Sequence, residues 1–127
     1  MRALRISREI RAELERHSEA EAPNEACGLV VLREGEAVAY EPGRNAEASP
    51  YRFRLEIDPD VWFLEDKGYE LAVFHSHTAS PPRPSRADVE QIGLWQGRPY
   101  LILRTDTGEL AAWHIRDGES AQAPLDA

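Results

Sequence analysis

Hydrophobic positions fall into short runs whose period changes from segment to segment. Ile10 and Leu14 recur at helical spacing behind Ser7, with Glu and Arg on the other faces. Serine is a common helix cap, so an amphipathic helix is expected from there to about Glu19. Residues 27–32 (Cys-Gly-Leu-Val-Val-Leu) form an apolar run of buried-strand length. Glu34-Gly35 reads as a turn, and residues 37–40 as the hairpin partner. A loop rich in Pro, Gly, Asn and Ser covers residues 42–50. Tyr51, Phe53, Leu55 and Ile57 then alternate with Arg52, Arg54 and Glu56, the period of a strand with one buried face. Asp58-Pro59 reads as a cap and a first-turn proline opening a second helix, which Gly68 ends. Residues 71–77 predict a strand rising into the core, broken by a proline-rich loop at 80–84. Ser85 is expected to start a third helix through about Trp95. Residues 100–104 and 110–115 predict two last strands around a turn at 106–108, and residues 117–127 a frayed, flexible tail.

This mixture predicts an α/β or α+β fold, a central mixed sheet flanked by helices. The length of 127 residues fits one domain spanning 1–127. A net charge of −8 with no basic run disfavours nucleic-acid partners. Cys27 is the one cysteine, which rules out an intramolecular disulfide and suits a reducing compartment. Neither a signal-peptide stretch nor a window of membrane-span length is evident, so a cytoplasmic protein without a membrane partner is expected.

The chemistry concentrates in Phe74-His75-Ser76-His77, with Ser85 and Asp88 following. Residues two apart on a strand share a face, so His75 and His77 could share one ion. Asp88, in the first turn of the next helix, could swing its carboxylate over the strand end. Two imidazoles and a carboxylate match a catalytic zinc site, which leaves a fourth position for water and lowers its pKa toward neutrality. Iron or manganese would accept the same donors. A further carboxylate must then take and return the proton, and Glu25 is the candidate. Blander readings stand beside these. Ser85-x-x-Asp88 resembles a helix capping box. Cys27 reads as a small buried residue rather than a nucleophile. His17 and His114 read as bystanders.

His75-x-His77, seven residues, Ser85, two residues, Asp88 resembles in full the motif of the JAMM (MPN+, JAB) metalloproteases. Glu25-Ala26-Cys27-Gly28 resembles that family's upstream Glu-x-Cys-Gly segment. Asn45, Ser49-Pro50, Phe53 and Asp58-Pro59 look like its bacterial branch, and the resemblance spans about residues 5–116. It implies a JAMM/MPN-type, cytidine-deaminase-like fold. It implies one zinc per chain on His75, His77 and Asp88, with Glu25 as general base and then acid. Ser85 would donate to the tetrahedral oxyanion. Thr78 stands where many members have proline, a change that removes no ligand.

Only about ten residues separate Asp88 from the strand at Tyr100, leaving little room for an insertion that clamps ubiquitin. The resemblance therefore points to minimal bacterial enzymes that cut after the C-terminal Gly-Gly of a ubiquitin-like sulfur-carrier protein, as in cysteine biosynthesis. A homodimer is compatible with the chain. Two other readings remain open here: a metal-free scaffold of the same superfamily, and a PHP-type phosphoesterase, which shares His-x-His-Thr.

Overall fold

The computed structural model describes residues 3–126. In chain order the strands are β1 (Leu4–Arg5), β2 (Cys27–Arg33), β3 (Glu36–Pro42), β4 (Arg44–Asn45), β5 (Leu55–Glu56), β6 (Glu70–His77), β7 (Tyr100–Arg104), β8 (Leu110–Arg116), β9 (Glu119–Ala123) and β10 (Leu125–Asp126). The helices are α1 (Arg8–Glu21), α2 (Pro59–Trp62) and α3 (Arg86–Glu90), with 3₁₀ turns at Phe63–Lys67 and Gly93–Trp95. Eight strands form one sheet in the order β10-β1-β3-β2-β6-β7-β8-β9, and β4 pairs with β5 apart from it. The pairs β1/β10, β1/β3 and β6/β7 are parallel and the others antiparallel, so the sheet is mixed as expected.

Alternation along β2 and β6 divides the core between the two faces of the sheet. Val30, Leu32, Ala72 and Phe74 meet Ile10 and Leu14 of α1 on one face. Leu29, Val31, Leu71 and Val73 lie on the other, under Phe53, Trp62, Val89 and Trp95. Ser7 caps α1, its hydroxyl accepting from the Ile10 N–H, and Asp58 caps α2 in the same way from Asp60. Gly68, at φ 91°, ends the second helical stretch where expected.

Three expectations change. Residues 117–127 are expected to fray, but 119–123 and 125–126 are strands, β9 against β8 and β10 against β1, while residue 127 lies outside the described residues. Asp117 and Gly118 both have positive φ, the two-residue turn that suits a tight hairpin. The helix opened by Ser85 stops at Glu90 rather than near Trp95, and Gly93 turns left-handed at φ 51°. The strand expected at 51–57 is a strand only at Leu55–Glu56, although Phe53, Leu55 and Ile57 keep the half-buried face. Among the described residues no helix is long and apolar enough to cross a membrane.

One close approach fixes the β2/β3 pairing beside the site. A Cβ on Gly28 would stand 2.5 Å from the Tyr40 hydroxyl and 2.6 Å from the Glu41 carbonyl. Tyr40 is buried and also bonds His17 Nδ1 at 2.7 Å, so it has little room to move. Gly28→Ala is expected to lower unfolding free energy by about 1–3 kcal/mol through overpacking. Urea denaturation measures this, and an unchanged midpoint would contradict the close-packing account.

Candidate metal centre

The antiparallel register of β2 and β6 solves a distance that sequence spacing leaves open. Cys27 pairs with His75, and the Ser76 N–H donates to the Ala26 carbonyl at 3.0 Å. The Ala26 N–H in turn donates to Ser76 Oγ at 2.8 Å. One further step along the same register sets Glu25 opposite His77, on the face that carries both histidines. The ladder thus brings a segment 50 residues earlier to the His-x-His pair.

His75, His77, Glu25 and Asp88 are all at most 5% exposed. The two Nε2 atoms stand 3.0 Å apart, and Asp88 Oδ2 lies 3.2 Å from each. Four ligands set tetrahedrally at about 2.0 Å from zinc would stand about 3.3 Å from one another. The triangle of His75, His77 and Asp88 has that spacing. Ligand atoms of Glu25, His75 and His77 also lie within 4.8 Å of one another, a looser set. Glu25 Oε1 is 3.9 Å from His75 Nε2, too far for the same tight triangle. The spacing therefore separates three donors that could share one ion from a carboxylate standing just behind it.

Neighbouring groups orient the donors. His77 Nδ1 donates to the Pro81 carbonyl at 2.8 Å, which leaves Nε2 with its lone pair in the neutral ring. The next carbonyl of that loop, Pro82, accepts from Trp113 Nε1 at 2.9 Å. Phe53 stacks on the His75 ring, centroids 4.5 Å apart. Asp88 is set by the capping box of α3. The Ser85 N–H donates to Asp88 Oδ2 at 2.8 Å and the Asp88 N–H to Ser85 Oγ at 3.1 Å. The capping reading of Ser85 and Asp88 is therefore real, and it is compatible with chemistry. Capping uses the Ser85 oxygen as acceptor, so its hydroxyl hydrogen stays available to donate.

Burial pushes the Glu25 carboxyl up to about 8, with His77 opposing and the Asp88 charge adding. A buried carboxyl poised near neutrality suits proton transfer. Its Oε1 has no hydrogen-bond partner among the described residues, nor has His75 Nδ1. An orphaned buried carboxylate oxygen calls for water, substrate or a cation beside it. Burial lowers His75. It lowers His77 too, but the Asp88 carboxylate and the Pro81 carbonyl outweigh it, and the net shift is upward. Burial would raise Asp88, yet the two imidazoles and the Ser85 N–H hold it well below the usual carboxylate range. Proton and metal would compete for the same imidazole lone pair.

The remaining candidates fall where the bland readings put them. Cys27 is fully buried, and burial with the Glu25 and Glu21 charges pushes its thiol up to about 12, inert as a nucleophile. His17 bonds Tyr40, and His114 sits in β8 opposite Ala121. Sequence reasoning missed the roles of Phe53, Trp113 and the groove beside the cluster. That groove, about 430 Å³, is lined by Phe53, Arg54, Trp62, Asp88, Ile92 and Trp95 among others. The alternation at 51–57 held a signal for Phe53, since it marked the ring as inward-facing.

Residues 7–116 match the family described as prokaryotic homologs of the JAB domain. The chain is 32% identical over 118 residues to the CysO-cysteine peptidase of Mycobacterium tuberculosis, covering 86% of this chain and 80% of that protein. It is 31% identical over 98 residues to the desampylase of Pyrococcus furiosus, covering 73% and 68%. A JAB1/MPN domain protein from Archaeoglobus fulgidus superposes with a TM-score of 0.63 at 16% identity, covering 98% of this chain and 99% of that one.

Proposed function

Since the chain belongs to the prokaryotic JAB-domain family of JAMM-type hydrolases, we propose that it is a zinc peptidase that cuts after the C-terminal Gly-Gly of a small ubiquitin-like sulfur-carrier protein. The observation that carries this reading is the 3.0–3.2 Å triangle of His75, His77 and Asp88, with Glu25 set behind it at 3.9 Å. Residues 1–127 act as one metallopeptidase domain in this reading, because both faces of the single large sheet are covered within it. The names of the two relatives, a CysO-cysteine peptidase and a desampylase, support a small protein as substrate.

Zinc fits this donor set, two imidazoles and one carboxylate at coordination spacing. When bound, it would activate water and polarise the scissile carbonyl. His75, His77 and Asp88 hold the ion in this scheme. Glu25 takes the proton of the attacking water and delivers it to the leaving amine. The Ser85 hydroxyl donates to the oxyanion that develops on the carbonyl. The groove beside Asp88 receives the extended tail, and Gly-Gly suits it because backbone without side chains can approach the buried cluster closely.

A cleavage assay tests the reading. The metal-loaded protein is incubated with a sulfur-carrier protein bearing one amino acid beyond Gly-Gly, with a ubiquitin isopeptide in parallel, and products are weighed by mass spectrometry. Loss of the terminal residue from the carrier is the expected result. Intact carrier in the presence of stoichiometric metal would sink the proposal and favour a scaffold role.

A further inference from the structure

Among the described residues, Glu25 Oε1 has no hydrogen-bond partner to hold it. The paired register of β2 with β6 ends at Cys27, and the last hydrogen bonds between the two segments are those of Ala26 with Ser76, one residue short of Glu25. Its place therefore depends on what holds its backbone. The Glu25 N–H donates to the Ser49 carbonyl at 2.9 Å, and its carbonyl accepts from Asn45 Nδ2 at 3.0 Å. One tie leads to the end of β4 and the other into the loop between β4 and β5.

The Asn45 side chain makes four hydrogen bonds, the full capacity of an amide. Nδ2 donates to the carbonyls of Glu25 and Arg52, each at 3.0 Å. Oδ1 accepts from the N–H groups of Glu47 and Arg54, each at 3.0 Å. Two carbonyls meet one end and two N–H groups the other, so only one amide orientation satisfies all four. Arg52 and Arg54 flank Phe53, whose ring covers His75. Glu47, Phe53 and Arg54 also form part of the groove wall. One amide thus grips the general base on one side and, on the other, both neighbours of the ring that covers a metal-ligand candidate.

We propose that Asn45 is a positioning residue that locks Glu25 and the Phe53 loop into one unit, so that the proton-transferring carboxylate and the groove wall keep a fixed relation. It rests on the reading of Glu25 as general base, and its test is built to fail separately from that reading. The requirement is an amide with two donors and two acceptors in one plane, which neither Asp nor Ser supplies.

Asn45→Asp is the test variant. It keeps both acceptor bonds, so the loop retains its turn, and it loses both donors, setting a carboxylate oxygen against the carbonyls of Glu25 and Arg52. The expected result is a fall in kcat of about 10–100-fold, with KM and zinc content little changed. In a Glu25→Gln background the same substitution is expected to add no further loss, since its effect passes through Glu25. A rise in KM that persists in that background would overturn the proposal and leave Asn45 a structural residue of the groove wall. A readout without substrate stands beside these, so the proposal is decided even if no carrier is cut. Hydrogen exchange of the Glu25 amide should quicken in Asn45→Asp. In the wild-type protein the Glu25, Glu47 and Arg54 amides should open together, with one protection free energy. Independent opening of Glu25 and Arg54 in the wild type would overturn the proposal without recourse to any variant.

Discussion

Glu25→Gln is expected to bind zinc as the wild type does and to lose hydrolysis by about 10²–10⁴-fold, the usual contribution of a general base. The substitution keeps the shape of the side chain. It removes the only function assigned to it, acceptance of a proton at the unpartnered Oε1. Metal content measured on the purified variant separates this from loss of the site. Burial holds the wild-type carboxyl at about 8, so an amide, which needs no desolvated charge, should be tolerated by the fold. Wild-type turnover in Glu25→Gln would show that the proton passes elsewhere.

Asp88→Asn should behave in the opposite way, losing stoichiometric zinc and hydrolysis together while the protein stays folded. The asparagine oxygen can still accept from the Ser85 N–H and cap α3, as Asp88 Oδ2 does at 2.8 Å. What disappears is the anionic donor 3.2 Å from both imidazoles. His77→Ala should give the same loss by removing an imidazole. The pair of carboxylate variants decides between two three-residue sets that share the histidines. If Glu25→Gln empties the site and Asp88→Asn does not, the looser cluster of Glu25, His75 and His77 holds the ion. The tighter spacing around Asp88 predicts the other result.

The segments most legible in the sequence were those whose local pattern and tertiary role agree. Ser7 with Ile10 and Leu14 marked α1 because the residues that cap and pack it sit within three turns. The apolar runs marked β2 and β6 because both are covered on each face. Residues 51–57 were legible in face but not in state. The alternation holds from Phe53 to Ile57 but not at Tyr51, which is exposed, and the Arg52 carbonyl and the Arg54 N–H bond the Asn45 side chain rather than a neighbouring strand. The third helix is shorter than its spacing suggests: it ends at Glu90 with Gln91 as the cap, and residues 93–95 form a separate 3₁₀ turn that begins at the left-handed Gly93. The strands after Arg116 were missed although Asp117-Gly118 carries a strong hairpin signal. Their polar, exposed residues lack the apolar alternation that would have marked a strand.

At the site, the residue types and spacing of His75, His77, Ser85 and Asp88 could be read from one stretch of chain. Glu25 could be named as a candidate carboxylate but not placed beside the histidines. Its approach depends on pairing between segments some 50 residues apart, and no local rule predicts that register.

That register has a consequence for how such a protein can change over time. Glu25 stands two residues before Cys27, and Cys27 is paired with His75. Side chains point alternately to the two faces of a sheet, so one residue gained or lost between Glu25 and Gly28 would turn the carboxylate away from the histidines. One gained between His75 and His77 would part the imidazoles. Drift by insertion or deletion is therefore closed at these positions, and the burial of Ala26, Cys27 and Ser76 narrows drift by substitution as well. Length variation has room instead at hairpin ends such as Glu34-Gly35 and Asp117-Gly118, where the count of residues does not set which way a functional side chain faces.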